Sequence, residues 1–600
     1  MLLLGALALR LIIAYVLFPR SGFESDIGTF TSWASTLASR GPGAFYSSVG
    51  FADYLPGYLY VLWLLGMAGQ ALASLVGGDA VGITVGLLKL PPIAADIAIG
   101  WVLYRLARRW LGDRPGANRV ALVVAALYVF NPATWYDSAL WGQVDSVGVL
   151  VALLAIALLI EGQDEGATAL SVLAVLIKPQ LAVVLLPILG AVLLRRHLIR
   201  PGSGPPPTRG PALLRRWAQQ EPGAWRLVSS AVAGVAVLYA VITPFHLDLF
   251  GLAKLLATAA GTYPYATVNA YNPWAFVGSA GLQPMAFAGL GRWSPDAAPL
   301  LGPLSGGIIG TVLLALAVLI PVGQLLRRAD KRSILLAAAY LSLAYFLIAT
   351  RVHERYLFPI FVFLPLLAVF DWRLLVATVV VGLTTVVNLH GILTEPIWGT
   401  PNVENLALGE LSRDPLVIGL CVVAAMVVFL VLAWRSVRIL LGRRDVFRSG
   451  TAALMSMGGR AAERSPEMAS PPRPSAASGV STPMAGAVAA APWLEEVRAS
   501  PVDVVLENPQ AVSLSPPRAA AAGRGSVTPA MAVRSTGSLH RLRWAIAARL
   551  GSRPLRSDRS ATLAGEPPGR VDRLDLLLIL LVVLIALVLR AWRVGEPPDM

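Results

Sequence analysis

The sequence has little charge and almost no cysteine. Only 14% of its 600 residues are charged, whereas soluble proteins contain about 25%. The single cysteine, Cys421, excludes an internal disulfide and a cysteine-cluster metal site. This composition excludes a cytosolic enzyme, a disordered scaffold and a secreted protein held together by disulfides.

Apolar residues make up 56% of the chain, and most of them lie in long blocks. A helix of about 20 residues, at about 1.5 Å per residue, crosses a hydrocarbon core of about 30 Å. The sequence therefore predicts an all-α polytopic membrane protein. The first block, 2–18, is not followed by a small-residue cleavage site, so we interpret it as an anchor rather than a signal peptide.

We predict about twelve membrane spans in the first part of the chain. Segment 57–77 is apolar too, but as a span it would put two basic loops on opposite faces, against the positive-inside rule. We interpret it as a re-entrant or membrane-lying helix on the outer side, in a long first outer loop. The predicted spans lie near 2–18, 86–106, 120–137, 144–161, 167–178, 180–195, 227–246, 304–326, 333–349, 356–369, 374–393 and 416–438.

The net charge of +15 reflects one-sided loops rather than a nucleic-acid-binding surface. Arginine and lysine gather in loops 105–119, 195–226 and 327–332 and in the segment 443–570. The positive-inside rule places all four in the cytoplasm, together with the N-terminus. We therefore expect a multi-pass protein of the plasma membrane.

The chain divides into three predicted parts. Residues 1–442 form the transmembrane module. Residues 443–570 are rich in Ala, Pro, Ser, Gly and Arg and are predicted to be a disordered cytoplasmic linker. Residues 571–600 contain one further span, near 574–592.

The first outer loop contains the run FESDIGTFTSWA, which includes Glu24 and Asp26. Trp33 follows Asp26 by two helical turns on the same face. A solvated acidic residue beside an interfacial tryptophan is one interpretation, and a functional carboxylate at the membrane surface is the other.

Two further motifs lie at outer ends of predicted spans. Asp137, Gln143 and Asp145 share a short turn with two tryptophans, and Lys178 breaks an apolar run. Polar groups at membrane depth are costly and are usually functional. An interfacial hairpin and a snorkelling lysine are the alternatives.

The densest cluster of charge is the run RVHERY, residues 351–356. Two guanidinium groups beside an imidazole can bind a phosphate group, because arginine contacts phosphate oxygens in a bidentate manner. A structural salt-bridge network is the alternative. The predicted topology puts this run and the other three motifs on the same, outer face.

Together these motifs resemble those of the C-type (GT-C) glycosyltransferases, polytopic enzymes that use polyprenyl-phosphate-linked sugars. The patterns YLPGY, WGQVDS and HERYLF are similar to those of glucosyltransferases of Asn-linked glycan assembly and of bacterial mannosyltransferase-like proteins. The resemblance covers about residues 1–440. The last of these motifs is His-Glu-Lys in that family, and in this chain Arg355 replaces the lysine. Residues 575–600 resemble the first span of a family-39 protein O-mannosyltransferase, as in a second module cut short or an orphaned anchor.

The resemblance implies an inverting sugar transfer in which Asp26 is the catalytic base. It requires no metal, although a divalent ion beside Asp26 and Asp145 is compatible with it. Cationic side chains would bind the lipid phosphate, and the others would shape the sugar or acceptor pocket. The substrate-binding residues implied are Glu24, Trp33, Asp137, Gln143, Asp145, Lys178, Arg351, His353, Glu354 and Arg355.

The implied function is transfer of a hexose from a polyprenyl phosphate to an acceptor hydroxyl on the outer face. Mannose and glucose are the first candidates for this hexose. The acceptor would be a glycan, a lipid or a protein, and nucleic acid is not an expected partner. The alternative is a lipid or small-molecule transporter or flippase. A transporter predicts charges at the bilayer midplane and an internal repeat, whereas the charges here lie at predicted span ends.

Overall fold

The computed structural model describes residues 1–207, 212–220, 223–277, 294–398, 400 and 402–443. These residues are predominantly helical. The predicted linker, beyond its first residue, and the predicted span near 574–592 lie outside the described residues.

The α-helices are numbered in chain order. They are α1 Leu2–Ile12, α2 Glu24–Arg40, α3 Phe45–Ser48, α4 Pro56–Val76, α5 Ala80–Leu87, α6 Leu90–Leu111, α7 Ala117–Val129, α8 Pro132–Trp135, α9 Asp145–Ile160, α10 Asp164–Ile177, α11 Ala182–Leu194, α12 Ala212–Gln220, α13 Ala224–Ile242, α14 Leu249–Gly261, α15 Gly306–Arg327, α16 Lys331–Ile348, α17 Ile360–Ala368, α18 Leu374–Leu393, α19 Gly409–Arg413 and α20 Pro415–Leu440.

Shorter elements extend or connect these helices. A small antiparallel pair of strands, β1 Pro299–Leu301 and β2 Leu304–Ser305, precedes α15. The π-helical turns are Ile13–Leu17, Tyr136–Trp141 and Arg195–Ile199, and the 3-10 turns are Pro42–Ala44, Pro179–Leu181, Thr243–Phe245, Pro273–Phe276 and Pro396–Trp398.

The prediction of an all-α polytopic membrane protein is confirmed. In the described part of the chain, 8 helices are long and apolar enough to cross a membrane, or 9 if the bent pair formed by Ala117–Val129 and Pro132–Trp141 is one span. Four predicted spans contain shorter helices, namely those near 2–18, 144–161, 167–178 and 356–369.

The predicted first outer loop is folded largely into helices α2, α4 and α5. Helix α4, predicted to be re-entrant or membrane-lying, is continuous over 21 residues and meets the length and hydropathy of a span. It packs closely on α2, so that a Cβ at Gly66 would clash with the carbonyl oxygen of Ala34. Glycine at this position therefore allows the two helices to approach.

Helices α16 and α17 form the centre of the largest hydrophobic cluster. Every residue of α17 is buried, and so are most of the residues of α16. A helix that is apolar on all sides requires such an enclosed position. These two helices flank the segment 349–359, which contains the RVHERY motif.

A buried ion pair joins α1 to α6, and both of its partners form hydrogen bonds with the bend that follows α7. The Arg10 Nε donates to Asp96 Oδ2 at 2.8 Å, and both side chains are completely buried. Arg10 also donates to the Val129 carbonyl oxygen at 2.7 Å and to Thr134 Oγ1 at 2.9 Å. The Ser138 hydroxyl donates to Asp96 Oδ2 at 2.6 Å. One guanidinium and one carboxylate thus hold the bend in place.

Acidic residues at the connection between α9 and α10 are paired with arginines. The predicted topology puts these acids on the cytoplasmic side together with the basic loops, where their sign is unexpected. Each is compensated by a guanidinium from another segment. The pairs are Glu161–Arg109, Asp164–Arg196 and Glu165–Arg226.

Helix α10 connects this acidic and basic cluster to one of the predicted functional residues. It begins at Asp164 and its 14 residues end just before Lys178. At about 1.5 Å per residue, its two ends are about 20 Å apart. The cluster and Lys178 therefore lie at opposite ends of the helix, as the charge pattern predicts.

Replacing Arg10 by methionine should strongly destabilise the fold, because Asp96 would be left buried without its guanidinium. We expect the free energy of unfolding to fall by about 3–5 kcal/mol, measured by denaturant unfolding in detergent micelles. The exposed Arg40→Met is the control and should change it by less than about 0.5 kcal/mol.

The double variant Arg10→Met with Asp96→Leu should be more stable than Arg10→Met alone, since no unpaired charge remains in it. If the double variant were as unstable as the single one, the ion pair would not be the source of the loss.

Candidate active site

Asp26 lies in the first turn of α2 and accepts two hydrogen bonds from neutral donors. Its Oδ2 receives the Trp141 indole N–H at 2.8 Å and the Gln143 amide N–H at 2.6 Å. Among the described residues, Oδ1 of Asp26 has no hydrogen-bond partner. One oxygen of the carboxylate is therefore oriented by the protein, and the other is available to a ligand.

The two donors are positioned by an irregular turn. The π-helical turn Tyr136–Trp141 ends at Gly142, whose φ of 82° lies in the left-handed region that favours glycine. The backbone N–H of Gln143 donates to the Asp137 carbonyl oxygen at 2.9 Å. The Trp141 ring stacks on Phe23 at 5.0 Å, directly before α2.

Lys178 lies behind Gln143. Its Nζ is 3.2 Å from Asp145 Oδ2 and 3.4 Å from Gln143 Oε1. The Gln143 side chain therefore contacts Asp26 through its N–H group and Lys178 through its oxygen. The ammonium group also lies 5.3 Å from the centre of the Tyr54 ring.

Arg355 is surrounded by carboxylates. It donates to Glu354 Oε1 at 2.6 Å and lies 3.7 Å from Asp145 Oδ2. Its guanidinium also lies 5.6 Å from the centre of the Trp141 ring. Burial alone would lower the pKa of Arg355, but the nearby carboxylates, Asp26 first, raise it well above its usual value. Arg355 is therefore a permanent cation of this site.

The neighbouring carboxyl and imidazole groups respond to the same surroundings in opposite ways. Burial raises the pKa of Glu354, although Arg355 opposes the shift. Burial lowers the pKa of His353 well below its usual value, and the charges of Arg355 and Lys178 lower it further. His353 is therefore neutral near pH 7 and can offer a hydrogen bond but not a charge.

Arg351, the other guanidinium of the motif, has a different set of partners. It donates to Asp296 at 2.7 and 3.2 Å and to the Ala260 carbonyl oxygen at 2.7 Å. Its φ of 62° is left-handed. Its backbone N–H donates to the Tyr265 carbonyl oxygen at 3.0 Å. Arg351 thus fastens the segment after α14 to the rim of the site.

These side chains surround a cavity of about 490 Å³. Aromatic rings and both signs of charge share its walls, as is typical of sites that bind a polar ligand with apolar faces. The predicted site residues that line it are Asp26, Trp33, Lys178, Arg351, His353, Glu354 and Arg355.

Four predicted residues do not line the cavity. Gln143 and Asp145 lie directly behind it and contact Asp26 and Lys178. Asp137 is completely buried, and neither of its carboxylate oxygens has a hydrogen-bond partner in the described part of the chain. Glu24 lies on a separate groove between α2 and α5.

The sequence reasoning missed several residues of the cavity. Asp53 and Tyr54 line it, although neither is among the predicted site residues. Gln180 and Tyr263 line it too. The signal for Gln180 was its position beside Lys178, whereas nothing in the sequence places Tyr263 near the other motifs.

No group of three or more His, Cys, Asp or Glu side chains that could hold a metal ion occurs among the described residues. The comparisons with known proteins identify no family. The sequence matches no protein-family model, and no curated protein matches it. Among solved structures, the chain is similar to ArnT from Cupriavidus metallidurans bound to undecaprenyl phosphate, at 16% sequence identity and a TM-score of 0.37, over 76% of this chain and 74% of that chain.

Replacing Arg351 by methionine should loosen the segment 264–272, whose attachment depends on the contacts of Arg351. The Val268 N–H donates to the Val352 carbonyl oxygen at 2.9 Å, so its hydrogen exchange reports this attachment. Loss of a charge-assisted bond should speed that exchange about tenfold or more. Arg355→Met is the matched control, and equal exchange in both variants would contradict the assignment.

Proposed function

We propose that this protein is an integral membrane glycosyltransferase. It moves a hexose from a polyprenyl-phosphate donor to an acceptor hydroxyl, with Asp26 as the base. The observation that carries the proposal is the shared cavity, in which a carboxylate with one unpartnered oxygen faces the same space as Lys178 and Arg355.

The reaction follows from the chemistry of such a donor. Asp26 takes the proton of the acceptor hydroxyl as its oxygen attacks the anomeric carbon. A bond forms between that oxygen and the anomeric carbon, while the bond from the anomeric carbon to the phosphate oxygen breaks. The polyprenyl phosphate leaves with the electron pair, and the configuration at the anomeric carbon is inverted.

One carboxylate is enough for this reaction. Glycoside hydrolysis needs a second carboxyl group to protonate a poor leaving group, whereas a phosphate leaves as a stable anion. Lys178 and Arg355 stabilise the charge that develops on the phosphate. His353 donates a neutral hydrogen bond from the same wall.

The orientation and substrates belong to the proposal as well. The basic loops support a cytoplasmic N-terminus, and with that orientation the proposed cavity faces the outer side of the plasma membrane. Mannose or glucose is the proposed sugar, and the acceptor is a glycan, a lipid or a protein. The lipid chain of the donor lies among the apolar helices beside the cavity.

Replacing Asp26 by asparagine should abolish most of the activity, because the amide cannot take a proton. Sugar transfer from polyprenyl-phosphate mannose or glucose by the full chain in liposomes should fall by about 100-fold to 10,000-fold. Asp113→Asn is the matched control, since its side chain is fully exposed and lies outside the cavity.

Equal transfer by wild type and Asp26→Asn would exclude Asp26 as the base. Flux of a substrate across the membrane, without sugar transfer from any donor, would contradict the proposal and indicate that the protein is a transporter.

Lys178 and Arg355 should set the affinity for the leaving group. Lys178→Met and Arg355→Met should each weaken product inhibition by free polyprenyl phosphate about tenfold or more, because a charge-assisted contact is lost. Arg355→Lys keeps the charge but loses the bidentate fork, so its effect should be smaller. Arg40→Met is the control. Unchanged inhibition in both methionine variants would contradict the assignment of Lys178 and Arg355 as phosphate-binding residues.

A further inference from the structure

Asp53 is a third carboxylate in the cavity that Asp26 and Glu354 also line. It lies in the extended segment between α3 and α4 and lines the same space as Asp26, Lys178 and Arg355. The mechanism proposed above does not use it. Among the described residues, Asp53 forms no ion pair, and its carboxylate is hydrogen-bonded to its own backbone.

The segment of Asp53 is held firmly on both sides. The Trp33 indole N–H donates to the Phe51 carbonyl oxygen at 3.0 Å. The Tyr46 hydroxyl donates to the Tyr54 carbonyl oxygen at 2.9 Å. These two bonds fix the backbone two residues before and one residue after Asp53. A carboxylate at the wall of a cavity is thereby given one orientation before any ligand binds, which favours recognition.

The position of Asp53 has an electrostatic cost. Burial raises the pKa of its carboxyl, the negative charge of Asp26 adds to the shift, and Arg355 and Lys178 oppose it. A partly buried carboxylate without a cation needs hydrogen-bond donors. In the described part of the chain the backbone of Asp53 itself stabilises the charged form, and a hydroxyl of a ligand in the cavity can supply a further donor.

We propose that Asp53 accepts a hydrogen bond from a ring hydroxyl of the donor sugar and so determines which sugar is transferred. The inference rests on the proposed function and names a specificity-determining residue for it. The sugar is covalently attached to the phosphate, and Asp53 lies within the electrostatic reach of both Lys178 and Arg355, the cations assigned to that phosphate. Asp26 is left free for the acceptor.

A hydroxyl group suits this position better than a cation. Lys178 and Arg355 already act on the Asp53 carboxylate electrostatically, and the described residues contain no cluster of ligands for a metal ion. A site that is built to bond a hydroxyl discriminates strongly against the analogue that lacks it, because the buried acceptor is then left unsatisfied.

The test compares three lipids that differ only in the sugar they carry. The affinity of the full chain in liposomes is measured for polyprenyl-phosphate mannose, polyprenyl-phosphate glucose and sugar-free polyprenyl phosphate. Asp53→Asn should weaken binding of a sugar-bearing lipid about tenfold or more and leave the sugar-free lipid unchanged. Asp113→Asn is the control, and the thermal unfolding midpoints of all three proteins are compared.

Equal affinity of wild type and Asp53→Asn for the sugar-bearing lipids would overturn the inference. An equal loss for all lipids would overturn it too, because Asp53 would then serve the phosphate or the fold. Transfer by the wild type is assayed in parallel, so that failure of the proposed function is seen separately from failure of the Asp53 assignment.

Deoxy donors provide a second test, whose first part needs only the wild type. One of the singly deoxygenated hexosyl phosphates should bind wild type about tenfold or more weakly, and Asp53→Asn should not distinguish it from the parent sugar. If wild type binds every deoxy donor as well as the parent, no hydroxyl is recognised and the inference fails.

Discussion

The ion pair between Arg10 and Asp96 is the constraint on which the rest of the site depends. Both charges are completely buried, and such a pair survives only if its remaining hydrogen-bonding groups are satisfied. The groups that satisfy it, Thr134 and Ser138 among them, belong to the turn that leads to Trp141. A buried charge in the first helix thereby fixes the start of the turn that orients Asp26.

The cavity is a balanced set of charges rather than a basic cradle. Lys178 and Arg355 share Asp145, and Arg355 also contacts Glu354. Balance of this kind keeps two cations buried at a modest cost. An incoming phosphate would compete with these carboxylates for both cations. The raised pKa of Glu354 suits that role, because a carboxyl that protonates readily can release its guanidinium.

The sequence allowed most helices and several site residues to be predicted, for different physical reasons. Apolar blocks of span length are recognisable from the sequence alone. Asp26 and Arg355 are conspicuous because charge is rare in the chain. Contacts between distant segments left no such signal. The partnership of Arg351 with Asp296 joins residues 55 positions apart, and the sequence predicted a phosphate ligand there. The roles of Asp53 and of the Arg10 pair likewise depend on packing that no local pattern encodes.

In the proposed mechanism, the group that accepts the proton, Asp26, forms no direct ion pair with the cations that bind the phosphate. A carboxylate that is paired directly with a cation is a weaker proton acceptor, yet the phosphate that leaves in the proposed reaction needs cations close by. Gln143 reconciles these demands, since it donates to Asp26 and accepts from Lys178. Its amide can do both in only one orientation. Asp26, the proposed base, is therefore linked to Lys178 through a neutral group, which orients the carboxylate without forming an ion pair with it.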